Sequence, residues 1–299
     1  MRLFFSEGYH VPLPANHRFP MGKYPALRDA MLQSAVCRAS DIHEPTAADW
    51  SLLARVHTRE YLHSLEHGTL SPMAVRRLGL PWSDALVRRA RLAAMGTLLA
   101  ARAALSDGVA GNLAGGTHHA FADRGEGFCV INDAAIAIRA LQAENAIRRA
   151  LVVDLDVHQG NGTAAIFRDD PHVHTFSMHG QKNYPFVKVP STLDVGLPDG
   201  AGDDEYLAAL AQHLPAAIAA AKPQLAVYLA GVDVVQGDRF GRLALTHDGL
   251  IARERFVFST LSGAGVPTAI VLAGGYAASA QKTALLHLET FRAAKAIYD

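Results

Sequence analysis

The stretch LVVDLDVHQGNGT, residues 151–163, sets Asp154, Asp156 and His158 at alternating positions directly after an apolar run. Leu151, Val152, Val153 and Leu155 read as a buried parallel strand, and GNGTAAIFR at 160–168 as a turn into a helix. A period of two puts the three polar side chains on one side of an extended backbone. Two carboxylates and an imidazole at the end of a buried strand are costly unless they are paired or hold a metal. The competing reading is an acidic strand end that caps the next helix. Taken with Asp233, Asp156 and His158 offer one imidazole and two carboxylates. Three protein ligands leave a position open for water and substrate, as catalytic zinc sites do. Zinc so held lowers the pKa of its water to ~7 and polarises a carbonyl. An oxygen-rich set also suits Fe(II), Co(II) or Mn(II), so the residues do not fix the metal.

His118 and His119 follow two glycines, as expected where backbone must approach a ligand closely. On an extended chain the two rings point apart, so both serve one site only at a turn; otherwise they divide between core and surface. Beside a metal centre, one accepts a proton and the other gives electrostatic support, a contribution of ~10²–10⁴-fold. Such a histidine needs an orienting partner, and Asp154 and Asn161 stand at the neighbouring strand end. Gly274-Gly275-Tyr276 places a phenol after a flexible strand end, where it either packs as an aromatic or faces a developing oxyanion. His57, His63 and His67 lack a partner cluster and are expected as surface or capping residues.

The elements that must position these groups alternate strand and helix. MRLFF opens as a strand, and a helix begins near Lys23 with Pro25 in its first turn. Residues 46–67 read as two short helices around His57. A long helix runs from about Ser83 to Leu105, stopped at Asp107-Gly108, with Arg88, Arg89 and Arg91 as a solvated face. Strands are expected at 109–114, 150–156, 172–178, 225–231 and 267–273. Helices are expected directly after Phe128, near 203–221 and 247–262, and from Ser279 to Ile297. This pattern predicts an α/β fold: one mainly parallel sheet with helices on both faces. Its ligand site lies outside the carboxyl ends of the strands, where 115–119, 154–158, 231–238 and 274–276 all fall.

The chain's 299 residues, half of them hydrophobic and 19% charged, suit a large globular core. No linker or repeat divides them, so a single domain over 1–299 is expected. Lys+Arg and Asp+Glu are both 28, which argues against nucleic acid as a partner. Two cysteines give no disulfide framework and fit a reducing cytoplasm. The N-terminal apolar run is too short for a signal segment or membrane span.

The ordered motifs GGTHHAFADRGEGFCVIND, DLDVHQGNGT, YLAGVDVVQGDRFGRLALT and AGGY resemble the zinc-dependent histone deacetylases and their bacterial relatives, of the arginase/deacetylase fold. HQGNG, VDVVQGDRFG and GDDEYL look most like the class IV enzymes. The resemblance runs from HRFPMGKY to AGGY and implies a sheet of about eight strands. It places Asp156, His158 and Asp233 as zinc ligands, His119 as general acid/base, His118 as its electrostatic neighbour, and Asp154 and Asn161 as their partners. Tyr276 falls at the transition-state tyrosine, and Gly127, Phe128, Tyr184 and Gly274 at the acyl-lysine channel. A structural K⁺ or Na⁺ is implied at Asp154, Asp156, His158, Ser177 and Met178.

The implied activity is hydrolysis of an acyl-lysine amide on a protein or peptide, or of a small acylated amine, with zinc (or Fe²⁺ or Co²⁺) bound. Arginase-like enzymes need a second metal, and Val235 stands where its ligand belongs. Acetylpolyamine deacetylases carry an acidic gatekeeper, aligned here with Phe240. A silent acyl-binding homologue is the remaining alternative. Acyl chain length and oligomeric state are not legible.

Overall fold

The computed structural model describes residues 1–298. In chain order its elements are β1 (Arg2–Phe4), α1 (Lys23–Gln33), β2 (Ile42–His43), α2 (Trp50–Leu53), α3 (Arg59–Glu66), α4 (Pro72–Leu78), α5 (Asp84–Asp107), β3 (Val109–Asn112) and α6 (Asp133–Ala143). There follow β4 (Ala150–Asp154), α7 (Asn161–Phe167), β5 (Val173–Gly180), β6 (Leu193–Leu197), α8 (Asp203–Ala221), β7 (Leu225–Leu229), α9 (His247–Gly263), β8 (Thr268–Val271) and α10 (Ala280–Tyr298). All eight strands join one parallel sheet, in the order β2-β1-β3-β8-β7-β4-β5-β6.

The central strands are buried on both faces, which is why they read as continuous apolar runs rather than alternating ones. Along β4, Leu151 and Val153 enter the core shared with α8, α9 and α10, while Ala150 and Val152 enter the core under α5 and α6. Tyr228 and Val227 of β7, and Ile270 and Ala269 of β8, divide the same way. Truncating wholly buried Ile270 to alanine would cost about 2–5 kcal/mol.

Helix ends follow their side chains. Ser83 Oγ accepts the Leu86 amide at 3.1 Å to start α5, and the helix stops at Gly108 in a left-handed conformation, φ +81°. Asn132 Oδ1 accepts the Ala135 amide at 3.0 Å, so α6 begins at Asp133 rather than directly after Phe128.

The expected strands and long helices form with boundaries shifted by a few residues. Two edge strands, β2 and β6, carry no strong signal: one has two residues, and the other alternates half-buried and exposed positions. The arginine run is not a solvated face throughout. Arg88 is exposed, but Arg89 is 3% exposed, donating to Tyr9 O at 3.0 Å and to the Tyr24 hydroxyl at 2.6 Å. Arg91 donates to Ala48 O at 2.7 Å and lies over the Trp50 ring. Guanidinium groups with long apolar stems satisfy buried carbonyls, so an arginine triplet on a helix facing aromatics can turn inward.

Candidate active site

β3, β8, β7 and β4 are consecutive in the sheet. Past their carboxyl ends the chain carries 115–119, 274–276, 231–238 and 154–158, so segments far apart in sequence meet over the middle of the sheet. Gly116 permits the approach of the first two: its φ is +77°, and a Cβ there would stand 2.4 Å from the Ala273 amide nitrogen.

β4 ends at Asp154, so Asp156 and His158 lie on the loop beyond it. Asp154 Oδ1 accepts the Asp156 amide at 3.2 Å, and Asp156 Oδ1 accepts the His158 amide at 2.9 Å. Each carboxylate turns the backbone two residues on, which takes the chain out of the ladder while the side chains still converge.

His158 Nδ1 lies 2.9 Å from Asp156 Oδ1 and 3.3 Å from Asp233 Oδ2. One donor atom from each of the three buried residues lies within 4.8 Å of the others. Asp233 Oδ1 accepts the Val157 amide at 2.9 Å and Asp156 Oδ2 the Gly274 amide at 2.6 Å. Asp233 Oδ2, though buried, has no hydrogen-bond partner among the described residues beyond its 3.3 Å approach to His158 Nδ1. A buried, unpartnered carboxylate oxygen beside two further donors fits a divalent cation. Gly274 closes this cradle: a Cβ there would stand 1.9 Å from Asp233 Oδ2.

The electrostatics reflect burial working against closely spaced charges. Asp233 is pushed up to about 7 by burial and by the Asp156 carboxylate. For His158 burial is outweighed by Asp156 and Asp233, and its imidazole rises to about 10. Asp156 is held well below the carboxylate range because His118 and His158 overcome its burial.

His118 and His119 sit at a turn, ring centroids 4.1 Å apart, and diverge to different partners. His118 Nδ1–H donates to Asp154 Oδ2 at 2.7 Å. Burial opposes its charge, yet Asp154 and Asp156 hold it at about 9. His119 Nδ1–H donates to the Asn161 amide oxygen at 2.7 Å. Burial, with His118 and His158 beside it, drives His119 well below its usual value. Asn161 begins α7, and its Nδ2 donates to Glu126 Oε1 at 3.3 Å.

Tyr276 is 9% exposed, and burial beside Asp156 and Asp233 keeps its phenol protonated. A cavity of about 340 Å³ leads down to it, lined by His119, Gly127, Phe128, Tyr184, Phe240 and Tyr276 among others. Phe128 and Tyr184 thus face the same channel. Phe128 has φ +67°, a conformation rare for an aromatic residue. Its amide is anchored on Leu78 O at 2.8 Å, at the end of α4. The Tyr184 hydroxyl donates to Glu126, which ties that wall to Asn161. Gly274 lies behind the metal donors rather than along the outer channel. Ser177 pairs in register with Asp154, and buried Met178 follows it on β5.

Several residues here gave no sequence signal. Asp238 Oδ2 accepts the Tyr276 amide at 2.6 Å, and Oδ1 accepts those of Phe240 and Gly241 at 2.8 and 3.1 Å. Lys23 is wholly buried; its Nζ donates to Ala273 O at 2.8 Å, and burial lowers it to about 8 against the pull of Asp233 and Asp156. A lysine at the first position of a helix reads as solvent-facing, so nothing in the local sequence marks its burial. His57 is buried and caps α6, its Nε2 accepting the Asn132 amide at 3.0 Å, whereas His63 and His67 lie on the surface side of α3 and stack on each other.

No described helix is long and apolar enough to cross a membrane. A family model for the histone deacetylase domain matches residues 17–291. The chain is 48% identical to an uncharacterized protein of Picosynechococcus, over 98% of each sequence. It is 31% identical to histone deacetylase 2 of Arabidopsis thaliana, over 94% of this chain and 76% of that one. The crystal structure of the HDA15 HD domain superposes with a TM-score of 0.77 at 26% identity, over 97% of this chain and 87% of that one. With that match across nearly its whole length and the fold it shares, this chain is a member of the histone deacetylase family of hydrolases.

Proposed function

We propose that the chain is one catalytic domain that removes acyl groups, acetyl or longer, from the side-chain amine of lysine. The observation that carries the reading is the convergence of Asp156, His158 and Asp233 with the His119–Asn161 pair and the Tyr276 phenol at the floor of one aromatic channel. A divalent cation on that trio, zinc with Fe²⁺ or Co²⁺ as alternatives, supplies Lewis acidity that polarises the acyl carbonyl and lowers the pKa of water. A K⁺ or Na⁺ at Asp154, Asp156, His158, Ser177 and Met178 belongs to the same reading, supported by the pairing of Asp154 with Ser177.

The protein's own groups do the rest. Asn161 Oδ1 accepts a hydrogen bond from His119 Nδ1–H and so keeps the proton on Nδ1, which leaves the Nε2 lone pair to remove a proton from the attacking water. The water oxygen adds to the carbonyl carbon, and the Tyr276 hydroxyl donates to the oxygen that becomes negative. His119 Nε2–H then protonates the leaving nitrogen and the C–N bond breaks; the new carboxylic acid gives its remaining proton to the amine, so a carboxylate and a lysine ammonium depart. His118, hydrogen-bonded to Asp154, lends electrostatic support beside it. Phe128, Tyr184 and Phe240 exclude water around the lysine stem.

The test is hydrolysis by metal-loaded protein across lysine peptides carrying acetyl, octanoyl and myristoyl groups, beside acetylputrescine and acetylspermidine. Peptide turnover supports the reading. Turnover of polyamines alone would replace it with the small-amine alternative, and metal binding with no turnover would leave a silent acyl binder.

A further inference from the structure

From the charge around the channel mouth we propose that this protein selects acyl-lysines flanked by acidic residues and discriminates against cationic amines. The inference rests on the deacylase reading of the same pocket and names its substrate class. Three cations from three separate segments ring the cavity: Arg18 before α1, Lys182 between β5 and β6, and Arg242 beyond β7. Among the described residues no carboxylate lines this outer cavity, the Asp156 carboxylate lying deeper, below His158 and Tyr276. Arg242 pairs at 3.2 Å with Asp199, itself exposed, while Arg18 and Lys182, both exposed, pair with no described residue. In a chain whose charges cancel, a mouth of one sign is a local feature and not a result of composition.

The loop that carries Lys182 is braced within itself and against the segment that carries Arg242. Asn183 Nδ2 donates to Phe240 O at 2.6 Å, and Asn183 Oδ1 accepts the Arg242 amide at 3.3 Å. Lys188 Nζ donates to Asn183 O and Pro185 O at 2.5 and 2.7 Å, and Gln159 exchanges two hydrogen bonds with Val189. At the tip Phe186 and Val187 are each 83% exposed, an apolar shelf next to the positive rim. A peptide lying across the mouth meets cations and an apolar ledge, so carboxylates flanking the acyl-lysine are attracted. The extra ammonium groups of an acetylpolyamine are repelled. Rim charges of this kind act on encounter and specificity, and they weaken with salt.

The experiment uses one metal-loaded protein and three fluorescent peptides that share a central acyl-lysine and differ only in Asp/Glu, Gly/Ala or Lys/Arg flanks. Both kcat/KM and Kd are read at low and at high ionic strength, with acetylspermidine as a fourth substrate. At low salt the acidic peptide is expected to have a kcat/KM about tenfold higher and a Kd about tenfold lower than the basic one, both differences shrinking to about twofold at high salt. The double variant Arg18→Gln/Lys182→Gln should bring the acidic-to-basic ratio close to one. Equal binding of the three peptides, a preference that ignores salt, or faster turnover of acetylspermidine would overturn the inference. Acid-selective binding without hydrolysis of any peptide would support the rim and sink the deacylase reading, so the two failures are distinct.

Discussion

Asp238 accepts the Tyr276 amide at 2.6 Å, so a carboxylate outside the Asp156–His158–Asp233 trio sets where the Tyr276 phenol stands. Its other oxygen holds Phe240 and Gly241, so one side chain registers the phenol against the channel wall. Asp238→Ala should lower kcat about 10–100-fold with a smaller change in KM, because misplacement by a fraction of an ångström is costly in a positioned site. Metal content should be unchanged. An unaltered kcat would show that Tyr276 finds its place without Asp238.

The His119–Asn161 bond makes a similar prediction about tautomer. Asn161→Ala removes the acceptor at Nδ1, so the ring is free to present the wrong nitrogen. Turnover should fall about 10–100-fold while the metal is retained. A near-normal rate would mean that another group orients His119, or that His119 is not the base.

Gly274→Ala tests the metal cradle. Its Cβ would stand 1.9 Å from Asp233 Oδ2, so that carboxylate must move, and on the proposed reading metal affinity should drop at least tenfold, read by competition with a chelator. Gly263→Ala, with nothing within 4 Å of the added methyl, serves as the control and should be neutral or slightly stabilising. Equal affinity in both variants would show that Asp233 is not held by this contact.

Burial pushes His57 down to about 4 from an ordinary 6.5, while its Nε2 accepts the Asn132 amide in the neutral form. Below pH 6.5 the unfolded chain binds a proton there and the folded chain does not, so stability rises with pH between about 4 and 6.5. The shift corresponds to about 3 kcal/mol. Denaturant unfolding at pH 4.5 and 7.5 should show a smaller difference for His57→Gln, whose amide oxygen can still accept the bond. Identical pH dependence in the two proteins would remove His57 as the source.

Much of the fold was legible because buried parallel strands and amphipathic helices leave strong periodic signals, as β4, α5 and α8 do. Short edge strands leave almost none, which is why β2 and β6 were not located individually. At the site, residues with costly chemistry announced themselves: Asp154, Asp156 and His158 share one strand end, and His118 and His119 are adjacent. Supporting residues did not. Asp238, Glu126 and Lys23 act through partners distant in the chain, and an aspartate before an Arg-Phe-Gly turn or a lysine opening a helix has an ordinary local explanation. The inward turn of Arg89 was hidden for the same reason, since only its aromatic and carbonyl neighbours make that orientation favourable.

The measurement that tests the central claim most directly is hydrolysis of an acyl-lysine peptide by metal-loaded protein and by Tyr276→Phe, with metal content and thermal unfolding recorded for both. The account predicts turnover by the native protein and a loss of about 10²–10³-fold in the variant, with the same metal stoichiometry and a closely similar Tm. Equal rates for the two proteins would contradict it, because the oxyanion would then be stabilised without the phenol.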